Sequence, residues 1–426
     1  MHNRIQMHTA LPNESMTTAS PAVDTLRNAI DKLLTYCQSN DWAGYDPYDA
    51  LNSGWLAAVP LLDRKLPRLA LTQVMKRLPL NVRPMLWIPK RQNAKGLALF
   101  LTTLIRLQQM SESEGQEPLA VIPSMIERLV ALRSPGSEHF CWGYSFPWQT
   151  RTVLVQSNSP NLVCTIFVAN ALLDAYDAFR QPECLQMAIS AGEYLLSELY
   201  WSDGETAGFG YPLPSVHNQV HNANLLAAAM LCRVYAHTRD ERFLEPALQA
   251  ARSSAASQNE DGSWFYGGTA SQRWIDNFHT GYNLCALRAI GEHTGAIEFQ
   301  ETLQRGYAFY RNRFFNADGS VRYFHDRTYP IDIHAVAQSI VTLVEFRDLD
   351  SGGLQQAHGV LQWALEHLWD PSGFFYYRKL PRYTNRISYM RWSQAWMLLA
   401  MVLLLEASSR QQRASLSHAV AMAGIG

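Results

Sequence analysis

Four stretches of the chain set a nitrogen base at nearly the same distance behind a tight turn. His221 lies 18 residues after Asp203, His279 18 after Asp261, His334 16 after Asp318 and Arg391 19 after Ser372. An amide follows each base three or four positions on: Asn224, Asn283, Gln338 and Gln394. That spacing puts base and amide on one face of a helix. A carboxylate precedes two of the bases, Asp276 before His279 and Asp332 before His334, and Asn218 precedes His221. Asp and Asn in this position are good helix N-caps. His and Arg are not, so capping alone does not explain four bases at one structural position.

Two chemistries suit these residue types, glycoside hydrolysis by an Asp pair first and a uronate lyase or sugar epimerase close behind it. Hydrolysis of a glycosidic bond needs a proton donor and a second carboxyl across the scissile bond. Asp276 and Asp332, from neighbouring repeats, are the candidates, and Asp46 and Asp49 of "GYDPYD" offer further carboxylates. Elimination or epimerisation on a uronic acid instead needs a His or Tyr to take the proton beside the carboxylate, and an Arg or Asn to neutralise that carboxylate in the transition state. His279 with Tyr282 and Asn283, and Arg391 with Tyr389, supply that set, with Arg386 as a second planar clamp.

The elements that must position these residues repeat. "WSDGETAGFGYP" (201–212), "QNEDGSWFYGG" (258–268), "NADGSVRYFHD" (316–326) and "DPSGFFYYRK" (370–379) are tight turns with aromatics behind them. Their starts are 58, 57 and 54 residues apart, and "HFCWGYSFPW" (139–148) and "DWAGYDPYDAL" (41–51) are looser copies. A period above 50 residues marks a repeat architecture. An amphipathic helix runs into each turn, as in 241–257, 296–315 and 353–369. A uniformly apolar helix leaves it, as in 221–237, 281–293, 335–346 and 393–406. The first kind belongs on an outer layer and the second is buried. Neither end carries a polar capping repeat, so the pairs are expected to close into an all-α toroid of (α/α)6 type, with short aromatic turn or hairpin insertions at a central funnel. Trp264, Tyr266, Tyr323, Phe324, Tyr376, Tyr377, Trp142 and Tyr144 would flank that funnel and stack on sugar faces.

Such paired helices, with Gly-aromatic turns entering a cavity, resemble the six-hairpin glycosidase superfamily. Within it the chain is similar to bacterial exopolysaccharide-cluster proteins of polysaccharide biosynthesis, through "GYDPYDALNS" (44–53), "DNFHTGYN" (276–283) and "YPIDIHAVAQS" (329–339). The resemblance spans residues 25–408. It implies the toroid and a poly- or oligosaccharide ligand, uronate-containing or lipid-linked, with polysaccharide-synthesis machinery as a partner. It leaves the reaction open, because such toroids host hydrolases, lyases, epimerases and isoprenoid cyclases. A glycan-binding scaffold without catalysis is a further reading.

Composition narrows the field. Thirty-six Lys and Arg against 37 Asp and Glu give a net charge of −1, so no general grip on nucleic acid or an anionic membrane is expected. The six cysteines are scattered, as in a reducing compartment, and the N-terminus has no secretory apolar core, so a cytoplasmic location is expected. The apolar run at 396–405 is too short to span a bilayer. His217 and His221 lack a third ligand, so neither a metal nor another cofactor is expected. "QNEDGSW" matches a squalene-hopene-type cyclase turn, but the cyclase acid and diphosphate motifs are missing. A single toroid domain over 23–409 is expected, flanked by flexible tails at 1–22 and 410–426. Segment 44–92 either completes the ring or folds over the funnel as a lid, with Arg83, Trp87 and Arg91 as substrate contacts.

Overall fold

The computed structural model describes residues 21–59, 64–112, 119–149 and 153–423. The path begins with an outer helix, α1 (Pro21–Ser39), and a long excursion carrying α2 (Gly54–Ala58) and α3 (Lys65–Arg77). It then enters the first inner helix, α4 (Ala94–Glu112), and turns back through outer α5 (Val121–Ala131). The alternation continues with inner α6 (Leu162–Phe179), outer α7 (Pro182–Tyr194), inner α8 (His221–Thr238) and outer α9 (Glu241–Ala255). Inner α10 (Asn277–Thr294), outer α11 (Gln300–Arg313), inner α12 (Ile333–Glu345), outer α13 (Gly353–His367) and inner α14 (Ala395–Ala423) complete it. Each inner helix packs on the next, and α14 packs on both α12 and α4, which closes the ring. The first outer helix, α1, lies against α14. Helix α6 is long and apolar enough to cross a membrane, yet most of it is buried inside the ring.

Local chemistry accounts for the beat. Asn161, Asp240, Asp276 and Asp332 cap α6, α9, α10 and α12 through their side chains. Three inner helices, α6, α8 and α10, end in left-handed residues, Arg180, Arg239 and Gly295. Each turn repeats one device. Asp261, Asp318 and Asp370 accept the backbone N–H two residues on at 2.9–3.0 Å, and Gly262, Gly319 and Gly373 take φ of 88°, 86° and 95°. A side chain on Gly262 would also meet the Arg305 carbonyl oxygen. Two of the repeated amides serve the same architecture. Asn224 and Gln394 each accept the N–H of a turn strand, from Phe209 and Phe375, both at 2.9 Å. They pin the hairpins Tyr200–Ser202/Ala207–Phe209 and Trp369–Asp370/Phe374–Phe375 to the helix mouths.

Segment 41–93 is a cap across one end of the ring. It has a small core of its own, Ala50, Met75 and Ile88, and contributes Tyr48 and Lys76 to the wall of the central cavity. Its Arg83 is buried and holds Asp49, at 2.8 and 3.0 Å, so it is a strut and not a substrate contact; Trp87 and Arg91 are exposed and lie outside the cavity wall. The expected tails also differ from the structure. Helix α1 already begins at Pro21, residues 1–20 lying outside the described residues, and α14 continues to Ala423 because 410–423 contains neither Gly nor Pro to stop it.

Candidate active site

The funnel ends in a cavity of about 590 Å³ whose wall is drawn from the cap, the turns and the first turns of the inner helices. Of the candidates read from sequence it brings together Asp276, His279, Tyr282, His334, Tyr266 and Arg391. Asp276 is the N-cap of α10. One oxygen accepts the His279 backbone N–H at 3.0 Å; the other lies 2.7 Å from His279 Nδ1 and accepts from Trp274 Nε1 at 3.0 Å. A carboxylate can only accept, so in the neutral imidazole Nδ1 carries the proton and Nε2 the lone pair. The imidazole stays partly exposed to the cavity, flanked by Tyr266 and Phe278.

On the next inner helix, His334 Nε2 lies 2.6 Å from the Tyr282 hydroxyl, and its Nδ1 has no partner among the described residues. Burial, then the charges of Lys95 and Arg391, hold this imidazole well below its ordinary range. Burial likewise holds the Tyr282 phenol well above its own. Both groups are therefore neutral, joined by one proton that either can carry. Phe278 separates the two imidazoles, its ring 4.1 Å from His279 and 4.7 Å from His334 between centroids.

Lys95 completes the site, and sequence reasoning missed it. It stands in the first turn of α4, the same mouth position that His221, His279 and His334 hold in their own hairpins. Its side chain is buried on the cavity wall, with Nζ 4.1 Å from the centre of the Phe167 ring and 5.6 Å from that of Tyr282. Burial, reinforced by Arg391, lowers its amine well below the usual lysine range. The surrounding rings of Phe167, Tyr282 and Trp396 work the other way, a desolvated cation–π contact favouring the ammonium by about 2 kcal/mol or more. Asn222, at the α8 mouth, lines the cavity with an unpartnered carbonyl oxygen. Both residues carried the signal of position alone.

The remaining candidates fall outside the cavity wall. Asp332 is fully buried; Arg378 takes one oxygen at 3.0 and 2.6 Å, and the His334 N–H and Trp392 Nε1 take the other, both at 2.9 Å. It is a strut between hairpins, with no oxygen left for a substrate. Asp46 is locked to Arg391, and Asp49 to Arg83; burial pushes Asp49 up to about 6 against the pull of Arg83. Trp264 is core, its Nε1 donating to the Ser254 carbonyl at 3.1 Å and its ring over Gly306. Trp142 and Tyr377 are buried likewise, and Tyr376 bonds Asp370, while Tyr144, Tyr323 and Phe324 do reach the cavity. His221 is buried with Nδ1 unpartnered, and burial pushes it down to about 4. Asn218, Asn283, Gln338, Gln394 and Tyr389 do not reach the cavity, and Arg386 lines a separate pocket beside Tyr36 and Lys90. Among the described residues no three His, Cys, Asp or Glu cluster as metal ligands would.

No protein-family model matches the chain, and none of the curated proteins matches it in sequence. Solved structures do match. Cellobiose 2-epimerase from Bacillus thermoamylovorans superposes with a TM-score of 0.63 at 11% identity, covering 91% of this chain and 99% of that one. The chain has the six-hairpin (α/α)6 toroid fold. Two other toroids match as broadly. A D-mannose isomerase gives 0.59 at 12% identity, covering 91% of this chain and 100% of that one. A family 76 glycoside hydrolase (mannosidase) from Bacteroides thetaiotaomicron gives 0.58 at 11%, covering 92% and 100%.

Proposed function

We propose that this toroid is a carbohydrate-processing enzyme, and specifically one that moves a proton on the carbon next to the carbonyl of a reducing sugar, as an epimerase or isomerase. One observation carries the reading: two imidazoles with different partners stand on neighbouring helix mouths around one cavity, His279 on Asp276 and His334 on Tyr282. His279, oriented by Asp276, takes the proton through Nε2. Tyr282, backed by His334, returns one from a different position. Return to the opposite face of the same carbon inverts it; return to the neighbouring carbon, with the hydroxyl proton passing from one enediol oxygen to the other, exchanges aldose and ketose. The Lys95 amine and the Arg391 N–H groups are donors for the enediolate oxygen. Cellobiose 2-epimerase and D-mannose isomerase among the similar structures support this class of reaction.

The hydrolase reading draws support from the mannosidase match but lacks its second carboxyl. Asp276 is the cavity's sole carboxylate among the described residues, and Asp332 has both oxygens occupied. The test is incubation with reducing mono- and disaccharides in heavy water. Proton transfer leaves the sugar's composition unchanged and puts solvent deuterium on carbon. Fragments heavier in sum by one water, with no deuterium on carbon, would overturn it in favour of hydrolysis.

A further inference from the structure

The cap has a surface the cavity does not use. Of the fourteen large apolar side chains exposed on the described residues, seven lie between Trp55 and Trp87. Leu66, Leu80, Met85 and Trp87 are the most open, at 76%, 67%, 74% and 66%. Trp55 and Trp87 stack with ring centroids 5.5 Å apart, and Trp55 Nε1 donates to the Met85 carbonyl at 3.0 Å, so these three form one patch. Trp87 is held there at a backbone cost. Its φ is +51°, uncommon for a bulky residue, and it rests on Gly54, where a side chain would come within 3.1 Å of its Cβ.

Charge is segregated onto the same segment. Residues 53–93 contain eight Lys and Arg and a single acidic residue, in a chain whose net charge is −1. Arg64, Lys65, Arg77, Lys90 and Arg91 are exposed. The near-neutral total, which argued against an anionic surface as partner, hides this local excess.

We propose that the cap docks on an anionic phospholipid bilayer, with Trp55, Met85 and Trp87 entering the headgroup region and the exposed cations of the same segment meeting lipid phosphates. Exposed aromatics and aliphatics interleaved with Lys and Arg are what an interfacial element requires. An acidic polysaccharide would suit the cations and stack on the indoles. It would give Leu66, Leu80 and Met85 nothing, whereas lipid accepts all of them. Because the cap also supplies Tyr48 and Lys76 to the cavity wall, the docking element and the cavity share one substructure.

The full chain is sedimented with phosphatidylcholine vesicles, with and without phosphatidylglycerol. It should pellet with the anionic vesicles only, with a blue shift of tryptophan emission, and be released by added salt. Each exposed charge removal, such as Lys90→Gln or Arg91→Gln, should weaken vesicle binding by about fivefold. Met85→Ser with Leu80→Ser, at positions too open to unsettle the fold, should abolish the blue shift while turnover of a soluble sugar is kept. The proposal is overturned if the protein stays in solution with anionic vesicles, if these variants pellet like the wild type, or if it binds acidic polysaccharide and not vesicles.

Discussion

Asp46 and Arg391, 345 residues apart in sequence, meet in a two-pronged buried ion pair, Nε to Oδ2 at 2.6 Å and Nη2 to Oδ1 at 2.8 Å. Burial alone would lower the Arg391 guanidinium, but the carboxylate more than offsets it and the net effect is upward. The pair ties the cap to the segment that leads into α14. Removing one partner leaves a buried charge uncompensated, so Asp46→Ala should cost about 3–5 kcal/mol in denaturant unfolding. Asp46→Leu combined with Arg391→Met should cost clearly less than the two single changes added together.

Asp276 has two duties that one substitution separates. Asn caps a helix about as well as Asp, but its amide cannot hold the Nδ1–H of His279 with a charge. Asp276→Asn should leave thermal stability within about 1 kcal/mol of the wild type, while deuterium incorporation slows by about 10²–10⁴-fold. Equal losses of stability and rate would reduce Asp276 to a cap.

Trp264 and Tyr266 are two residues apart and should behave oppositely. Trp264→Ala empties core space over Gly306 and should cost about 3–5 kcal/mol, with KM unchanged. Tyr266→Ala, on the cavity wall and stacked on Trp274 at 4.5 Å, should raise KM with a smaller effect on unfolding. Urea titration alongside steady-state kinetics distinguishes them.

Lys95 costs stability by being buried with no acidic partner among the described residues. Lys95→Met keeps the shape and removes the amine. The variant should unfold at the same or higher denaturant concentration, yet lose tenfold or more in kcat/KM. Unchanged kinetics would make Lys95 a packing residue.

Acid should destabilise the fold through its buried imidazoles. Burial pushes His221 and His293 down to about 4, and holds His334 well below its ordinary range. Unfolded imidazoles bind protons near pH 6.5, so between about 6.5 and 4 the unfolded chain holds more protons than the folded one. The stability these groups support is complete above that window and drains as pH falls through it. Asp49, raised to about 6, acts in the opposite sense over part of the same range. The informative quantity is therefore the difference between the wild type and His221→Gln, whose profile should be flatter by on the order of 3 kcal/mol at pH 4.

The ring and half of the site were legible because they follow from spacing. Turns 54–58 residues apart gave the hairpins, and counting from them reached Asp276, His279, His334 and Arg391. Lys95 escaped because the hairpin it opens has no Gly turn in front of it; the cap stands there instead. Asp276 and Asp332 look alike in sequence, but Asp276 is three residues before its His and Asp332 two. At three, the second oxygen reaches the imidazole; at two it points to Arg378, which arrives from a strand whose register no local pattern encodes. Trp264 was misread because the turn is irregular there, so strand alternation could not say which aromatics face inward.

The cap leaves the ring and returns to it at a single place, where Gly44 and Arg91 exchange two backbone hydrogen bonds of 3.1 Å. The covalent route from α1 to α4 therefore does not depend on what lies between them, and a short linker from 44 to 91 would complete the same circuit. The stretch encoding residues 45–90 is thus a cassette. A lineage can lengthen or trade it, provided a carboxylate still meets Arg391 and side chains still fill the places of Tyr48 and Lys76, while the reacting groups on α10 and α12 descend unaltered.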